Sequence, residues 1–196
     1  MDFKLFTSYR PPLATGGAFT AVAVPDLDLS DVRALKEALD KQNRTSLEFH
    51  GHAQLQAAEF ESLSQALRGT PVRRLSLRGH HVDSAALNHI ADALSENSDM
   101  SHLDLRGCQL ANDAIDGLLR LLRCRTLQTL LLDDNQLGED IELQLFNAAS
   151  SFSKLRVLSL TGNPLGSLFA RPAWETRQGT STSAWPSVRD GGLAMT

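Results

Sequence analysis

The sequence lacks several features that would assign it to a common functional class. Among its 196 residues there are only two cysteines, Cys108 and Cys124. Two are too few for a disulfide-rich secreted domain, so we expect free thiols in a reducing compartment. Basic residues number 19 against 23 acidic ones, and this net charge of −4 argues against a sequence-independent nucleic-acid binder. No apolar run reaches the roughly 18 residues of a membrane span, and none is predicted.

The short motifs of common enzyme classes are also missing. There is no Gly-Lys dipeptide of a P-loop, no Gly-x-Gly-x-x-Gly and no Gly-x-Ser-x-Gly. Neither His-Glu-x-x-His nor Cys-x-x-Cys occurs, although these pairs serve many zinc and redox sites. An acid, Asp2, stands where a signal peptide needs basic residues. We therefore expect a cytoplasmic protein that is not an enzyme and has no cofactor.

What the sequence has in excess is leucine, and the leucines are periodic. They make up 34 of the 196 residues, and residues 127–137 read L-x-x-L-x-L-x-x-N-x-L. The first strand position of this template recurs at residues 22, 47, 75, 103, 130 and 158. The L-x-L core alternates with period 2, which predicts a short strand, and a helix-period apolar stretch follows each of the first five copies. One such unit cannot bury its apolar face alone, but stacked units can.

This pattern resembles the leucine-rich repeat family over roughly residues 19–165, and by repeat length its ribonuclease-inhibitor-like subclass. The resemblance implies an α/β solenoid of about six repeats. In that curved horseshoe, parallel strands form the concave face and helices form the convex face. Residues 1–18 would then be an extended N-terminal tail, and residues 166–196 an irregular C-terminal cap and tail.

The turn after each strand carries a pattern of its own. Glycine is the middle residue of four turns and Asp134 of the fifth, which predicts a left-handed backbone there. In the family, the third residue of the turn is an inward-facing Asn that hydrogen-bonds the backbone of adjacent turns; we call it the ladder position. Its occupants here, in chain order, are His52, His80, Cys108, Asn135 and Asn163. We expect less regular turns toward the N-terminus.

Side chains that flank the strand leucines of such a horseshoe point to its concave face, and in the middle repeats they are charged. The candidate partner-binding residues on this face are Glu48, His50, Arg74, Arg78, His102, Asp104, Arg106 and Asp133. Arginine is enriched in protein contacts because its planar fork pairs with carboxylates. The alternative is an ordinary solvated face with internal Arg–Asp pairs, each of which stabilises little.

The C-terminal tail contains both tryptophans of the chain, Trp174 and Trp185, which are also candidate partner-binding residues. The stretch up to Trp174 either folds back over the last repeat as a cap or belongs to a binding segment. Beyond residue 178, a Ser/Thr/Gly-rich run with Trp185 either becomes ordered on a partner or stays unstructured.

Four histidines come from adjacent turns: His50, His52, His80 and His81. Their side chains have the chemistry of a zinc or copper site. The simpler interpretation, which we favour, is that His52 and His80 occupy the ladder position and hydrogen-bond the backbone. We therefore expect no metal.

The expected function is that of a protein–protein interaction scaffold or adaptor that binds through the concave face, the tails or both. We expect neither a nucleic acid nor a membrane as partner. The alternative is a structural subunit of a large cytoskeletal or ciliary (axonemal) assembly. More remote is a regulator of a GTPase or an enzyme inhibitor, because relatives with this scaffold have many unrelated roles.

Overall fold

Short strands and helices alternate along the chain in the computed structural model. The structure describes residues 4–6, 22–23, 32–41, 45–49, 54–151, 154–166, 188–189 and 192–194. The strands are β1 (Lys4–Phe6), β2 (Val22–Ala23), β3 (Ser46–Glu48), β4 (Arg74–Ser76), β5 (His102–Asp104), β6 (Thr129–Leu131), β7 (Val157–Ser159), β8 (Val188–Arg189) and β9 (Gly192–Ala194). The helices are α1 (Val32–Lys41), α2 (Ala57–Leu67), α3 (Ser84–Glu96), α4 (Ile115–Arg123) and α5 (Glu142–Ser151). Across these ranges, no helix has the length and apolar character that a membrane crossing needs.

The strands form one sheet in the order β2-β3-β4-β5-β6-β7-β1-β9-β8. From β2 to β7, each strand pairs in parallel with the next strand along the chain. The pairing aligns the first strand position of each copy of the template, namely Val22, Leu47, Leu75, Leu103, Leu130 and Leu158. The predicted α/β class and the parallel sheet are therefore confirmed, and the spacing of the leucines sets the strand register.

Both ends of the chain contribute strands that the sequence did not predict. Strand β1 pairs in parallel with β7, β9 pairs antiparallel with β1, and β8 pairs antiparallel with β9. The first strand of the chain thus lies far from β2, which begins the parallel series. The proposed division at residues 18 and 166 stays a prediction. Four of the predicted functional residues lie outside the described residues: His50, His52, Trp174 and Trp185.

The core lies between the sheet and the helices. Leu47, Leu75 and Leu103 of the strands are at most 1% exposed, and they share one apolar cluster with the inner stripe of each helix. Burial of this apolar surface is the main stabilising contribution. At Gly117 in α4, an added Cβ would lie 2.9 Å from the Leu87 side chain, so α3 and α4 pack closely because this position has no side chain.

Local signals explain where two of the helices begin. Asp83 precedes α3, and its Oδ1 accepts a hydrogen bond from the Ala86 amide at 2.7 Å. At α2, the Gln56 amide donates to Glu59 Oε2 at 2.7 Å, which is one half of a capping box. Each bond satisfies an amide that has no partner inside the helix.

Candidate functional site

The four described turns after the strands share a left-handed residue at their middle position. The backbone φ is 79° at Gly79, 64° at Gly107, 57° at Asp134 and 74° at Gly162. Glycine adopts this conformation without a steric penalty, and Asp tolerates it better than most residues. The prediction of left-handed turns is confirmed for these four; Gly51 lies outside the described residues.

After β6 and β7, the residue at the ladder position connects adjacent turns by hydrogen bonds. Asn135 Nδ2 donates to the carbonyls of Leu105 and Leu132, both at 2.9 Å, and Asn135 Oδ1 accepts from the Leu110 amide at 3.0 Å. Asn163 repeats the arrangement one turn later: its Nδ2 donates to the Leu132 carbonyl at 2.8 Å, and its Oδ1 accepts from the Leu137 amide at 3.1 Å. The carboxamide thus serves a carbonyl and an amide at once.

Cys108 and His80 occupy the same position but make only part of this arrangement. Cys108 Sγ donates to the Leu77 carbonyl at 3.1 Å, which corresponds to the bond from Asn135 to Leu105. His80 Nδ1 accepts from the Leu55 amide at 3.4 Å, which corresponds to the bond from Leu110 to Asn135. For His80, this contact agrees with the predicted backbone-bonding role.

The strands that these turns hold in place carry the candidate partner-binding residues. A depression of about 690 Å³ lies over β3, β4, β5 and β6. It brings together six of the predicted residues: Glu48, Arg74, Arg78, His102, Asp104 and Arg106. Its walls also include Phe49, which is 6% exposed. The rings of Phe49 and His80 pack edge to face, with their centroids 6.2 Å apart. We call this depression and its lining the strand-face depression.

The guanidinium of Arg106 pairs with Asp104, the last residue of β5. Its Nε donates to Asp104 Oδ1 at 2.8 Å, and its terminal nitrogen donates to Asp104 Oδ2 at 2.5 Å. The two side chains are 17% and 16% exposed. The hydrogen bond to Asp104 raises the pKa of Arg106 above its ordinary value. This fork-to-fork geometry matches the internal-pairing alternative, so the charge of Arg106 is largely neutralised within the protein.

Asp133 differs from its predicted role as a partner contact. The residue is only 4% exposed, and Oδ1 accepts hydrogen bonds from the Ser159 hydroxyl and from the Thr161 amide at 2.8 Å. Burial raises the pKa of this carboxyl, although the two hydrogen bonds and the charge of Arg106 oppose the shift. Because its carboxylate is enclosed and already bonded, we remove Asp133 from the contact residues and regard it as a link between β6 and β7.

His102 lies in the depression between charged neighbours. Ser101 Oγ is 2.8 Å from His102 Nδ1. Burial lowers the pKa of His102, and the positive charge of Arg74 lowers it further. The imidazole is therefore neutral at neutral pH and offers one donor and one acceptor.

Arg78 is the exposed cation of the depression. It follows β4 and lies before the left-handed Gly79, a position that turns its side chain toward solvent. Within the part of the chain that the structure describes, no carboxylate forms an ion pair with its guanidinium. Arg74 and Glu48 are half-buried and each has an interaction partner.

The sequence reasoning missed a buried asparagine on the opposite side of the repeats. Asn97 directly follows α3 and is 1% exposed; its Nδ2 donates to the Leu67 carbonyl at 2.9 Å, and its Oδ1 accepts from the Met100 amide at 3.0 Å. A second depression of about 480 Å³ lies beside it, near Arg120 and Arg125. An asparagine directly after an apolar helix was the available signal, because it can serve the last carbonyls of a helix.

The metal alternative receives no support from the described ranges. They contain no group of three or more His, Cys, Asp or Glu residues that could hold an ion. His50 and His52 lie outside these ranges, so the four-histidine arrangement itself stays a hypothesis.

No family model and no curated protein matches the chain. Among solved structures, the chain is similar to one described as the tropomodulin C-terminal domain of Caenorhabditis elegans, with a TM-score of 0.45 and 14% identity. The alignment covers 54% of this chain and 65% of that one, so it spans less than two thirds of the related domain. At this TM-score the likeness assigns neither a family nor a function.

Proposed function

We propose that the protein is a non-catalytic scaffold that binds a partner protein through the strand-face depression. The observation that carries this proposal is the placement of six charged or titratable side chains from three neighbouring strands around one cavity of about 690 Å³. Loops and sheet faces of this kind present contact residues on a rigid support. In this proposal the chain has no cofactor and acts in the cytoplasm.

The proposal includes a finer description of the fold. The chain is a leucine-rich repeat solenoid of about six repeats, with the depression on its concave face. Two features support this description: the in-register strand leucines and the ladder bonds of Asn135 and Asn163 between successive turns. Repeat proteins of this type use extended concave surfaces for binding.

A structural subunit of a large cytoskeletal or ciliary assembly is the second candidate. The ends of the sheet favour it, since β2 and β8 are its terminal strands. Terminal strands offer backbone groups to which a neighbouring chain can add. In that case the sheet ends, rather than the depression, would carry the contact.

Affinity capture with the full chain, followed by mass spectrometry, separates the two candidates. The test variant combines Arg74→Glu with Arg78→Glu; Arg106 is left intact because its removal would leave Asp104 without its partner. We expect this variant to lose the partner that the unchanged protein captures, because two contact charges are reversed.

The matched control combines Arg125→Glu with Arg156→Glu, which changes the net charge equally at two exposed sites outside the depression. It should keep the partner. If both double variants capture the partner as well as the unchanged protein, the depression is not the binding surface. Capture that fails only when residues 188–194 are deleted would favour the assembly subunit.

A further inference from the structure

Some charged side chains of the strand-face depression are paired within the protein, whereas Arg78 forms no ion pair within the described ranges. This difference indicates the charge that a partner should carry. We propose that the depression receives an acidic, extended segment of the partner protein, with a carboxylate of that segment bound by Arg78 beside Arg74. This inference rests on the proposed function and adds the chemical class of the ligand.

Three charged side chains in and beside the depression are already paired or enclosed within the protein. Asp104 and Arg106 cancel in a bidentate pair with bonds of 2.8 and 2.5 Å, and both are mostly buried. Asp133 lies below the surface, bonded to Ser159 and Thr161. None of these three offers an open charge to an incoming ligand.

Four other titratable side chains line the depression. Two guanidinium groups, of Arg74 and Arg78, line the depression together with one carboxylate, of Glu48, and His102 is neutral because burial and Arg74 lower its pKa. Arg78 is the most exposed of these side chains, and no ion pair holds it within the described ranges. The open surface of the depression therefore carries one excess positive charge.

The surroundings of this charge suit a carboxylate. Arginine presents parallel N–H donors in the geometry of a carboxylate, and such bonds are about twice as strong as neutral ones. Phe49 and Leu131 add apolar walls, with 6% and 8% exposure, which lowers the local dielectric constant. Hydroxyl groups of Ser76 and Thr129 line the same cavity and can bond the backbone of an extended segment.

The same charges disfavour two other ligands. A basic segment would place its cations against Arg78. A nucleic acid gains affinity by releasing many counterions from a broad basic surface, whereas this depression has one excess cation on a chain of net charge −4.

An NMR titration of the full chain, labelled with ¹⁵N, tests the inference. The probe is a short blocked peptide with alternating glutamates; peptides with glutamine or lysine at the same positions are its counterparts. We expect the glutamate peptide alone to shift the amides of β4, β5 and their turns. Arg78→Gln should weaken its binding roughly tenfold, the effect of losing a charged hydrogen-bond pair.

Arg125→Gln is the matched control, because it removes an arginine that is also exposed but lies outside the depression. It should bind the glutamate peptide as the unchanged protein does, and the amide spectra should show that both variants are folded. Equal shifts with the glutamine or lysine peptide would overturn the inference, as would displacement of the glutamate peptide by a DNA duplex at equal concentration.

Failure of this inference is distinguishable from failure of the proposed function. If the Arg74→Glu/Arg78→Glu variant loses its captured partner but no glutamate peptide shifts the depression, the binding surface stands and the acidic ligand is refuted. If the glutamate peptide binds as expected while capture is unaffected by that variant, the acidic site stands and its role as the partner surface is refuted.

Discussion

The ladder position has different occupants after β4 and β5 than after β6 and β7, although the middle residue of each of these turns is left-handed. After β6 and β7, Asn135 and Asn163 each donate to a carbonyl and accept from an amide. After β5, Cys108 donates but does not accept; after β4, the bond shown for His80 is an accepting one. The backbone of each turn offers one carbonyl and one amide to this position, and the carboxamides of Asn135 and Asn163 bond both.

The demand that Cys108 does not meet is satisfied by the backbone. The Val82 amide corresponds to the Leu110 amide of the next repeat, and it donates to the carbonyl of Cys108 itself at 3.1 Å. A buried amide without a partner would cost about 1–3 kcal/mol. Because the carbonyl of Cys108 bonds the Val82 amide, the turn that has cysteine at the ladder position avoids this cost. A turn therefore tolerates a side chain with fewer hydrogen bonds where the backbone supplies the missing partner.

The largest effect should come from removing the most fully bonded side chain. Asn135→Ala leaves two carbonyls and the Leu110 amide without their side-chain partner in a buried turn. We expect the free energy of unfolding to fall by about 3 kcal/mol, because several buried groups lose a partner together. Urea denaturation monitored by circular dichroism measures the change.

Asn147→Ala is the control, since Asn147 is exposed on α5 and its substitution should change stability by less than about 0.5 kcal/mol. Equal losses for the two variants would show that the ladder position has no special role.

Cys108→Ala should cost less than Asn135→Ala, because only one hydrogen bond is lost. We expect about 1 kcal/mol from that bond and the small gap left by sulfur. Burial also raises the pKa of the Cys108 thiol from 9.0 to about 12. The unfolded chain therefore ionises first, so stability is full below pH 9 and falls as the pH rises toward 12.

Urea denaturation at a series of pH values tests both statements. Cys108→Ala should lessen the decline above pH 9. Burial raises the pKa of the Cys124 thiol at the end of α4 as well, so Cys124→Ala measures the separate share of that second buried thiol. A loss as large as that of Asn135→Ala would mean that the thiol meets the full demand of the turn, which would contradict the comparison.

The sequence predicted those parts of the structure in which a residue type occurs at a position for a single physical reason. Leucines at fixed spacing predicted the parallel strands and their register, and the Gly or Asp at the middle of each described turn predicted the left-handed backbone. The strand Lys4–Phe6 was not predictable, because a three-residue strand without a periodic context has no signal of its own. Its partner, β7, lies some 150 residues away.

The candidate site was predicted as a set of residues but not as a balance of charges. Alternation along the strands placed Arg74, His102 and Asp104 on one face, as the structure has them. Whether Arg106 pairs with Asp104 or remains available to a partner depends on the side-chain conformations at the end of β5. The spacing of residues in the sequence does not specify these conformations. The burial of Asp133 likewise depends on the neighbouring strand, through Ser159.

The smallest expected effect has the opposite sign and comes from the same turn as Asn135. Burial raises the pKa of Asp133, so the folded protein prefers its neutral form, and stability is lost as the pH rises through that raised pKa. Asp133→Asn keeps an oxygen for Ser159 and Thr161 but removes the buried charge. We expect the melting temperature to rise slightly at pH 7 and to fall less as the pH rises above 3.8, the ordinary pKa of the carboxyl. Asp40→Asn, at an exposed position of α1, should change neither quantity, and a lower melting temperature for Asp133→Asn would show that the turn needs the charge itself.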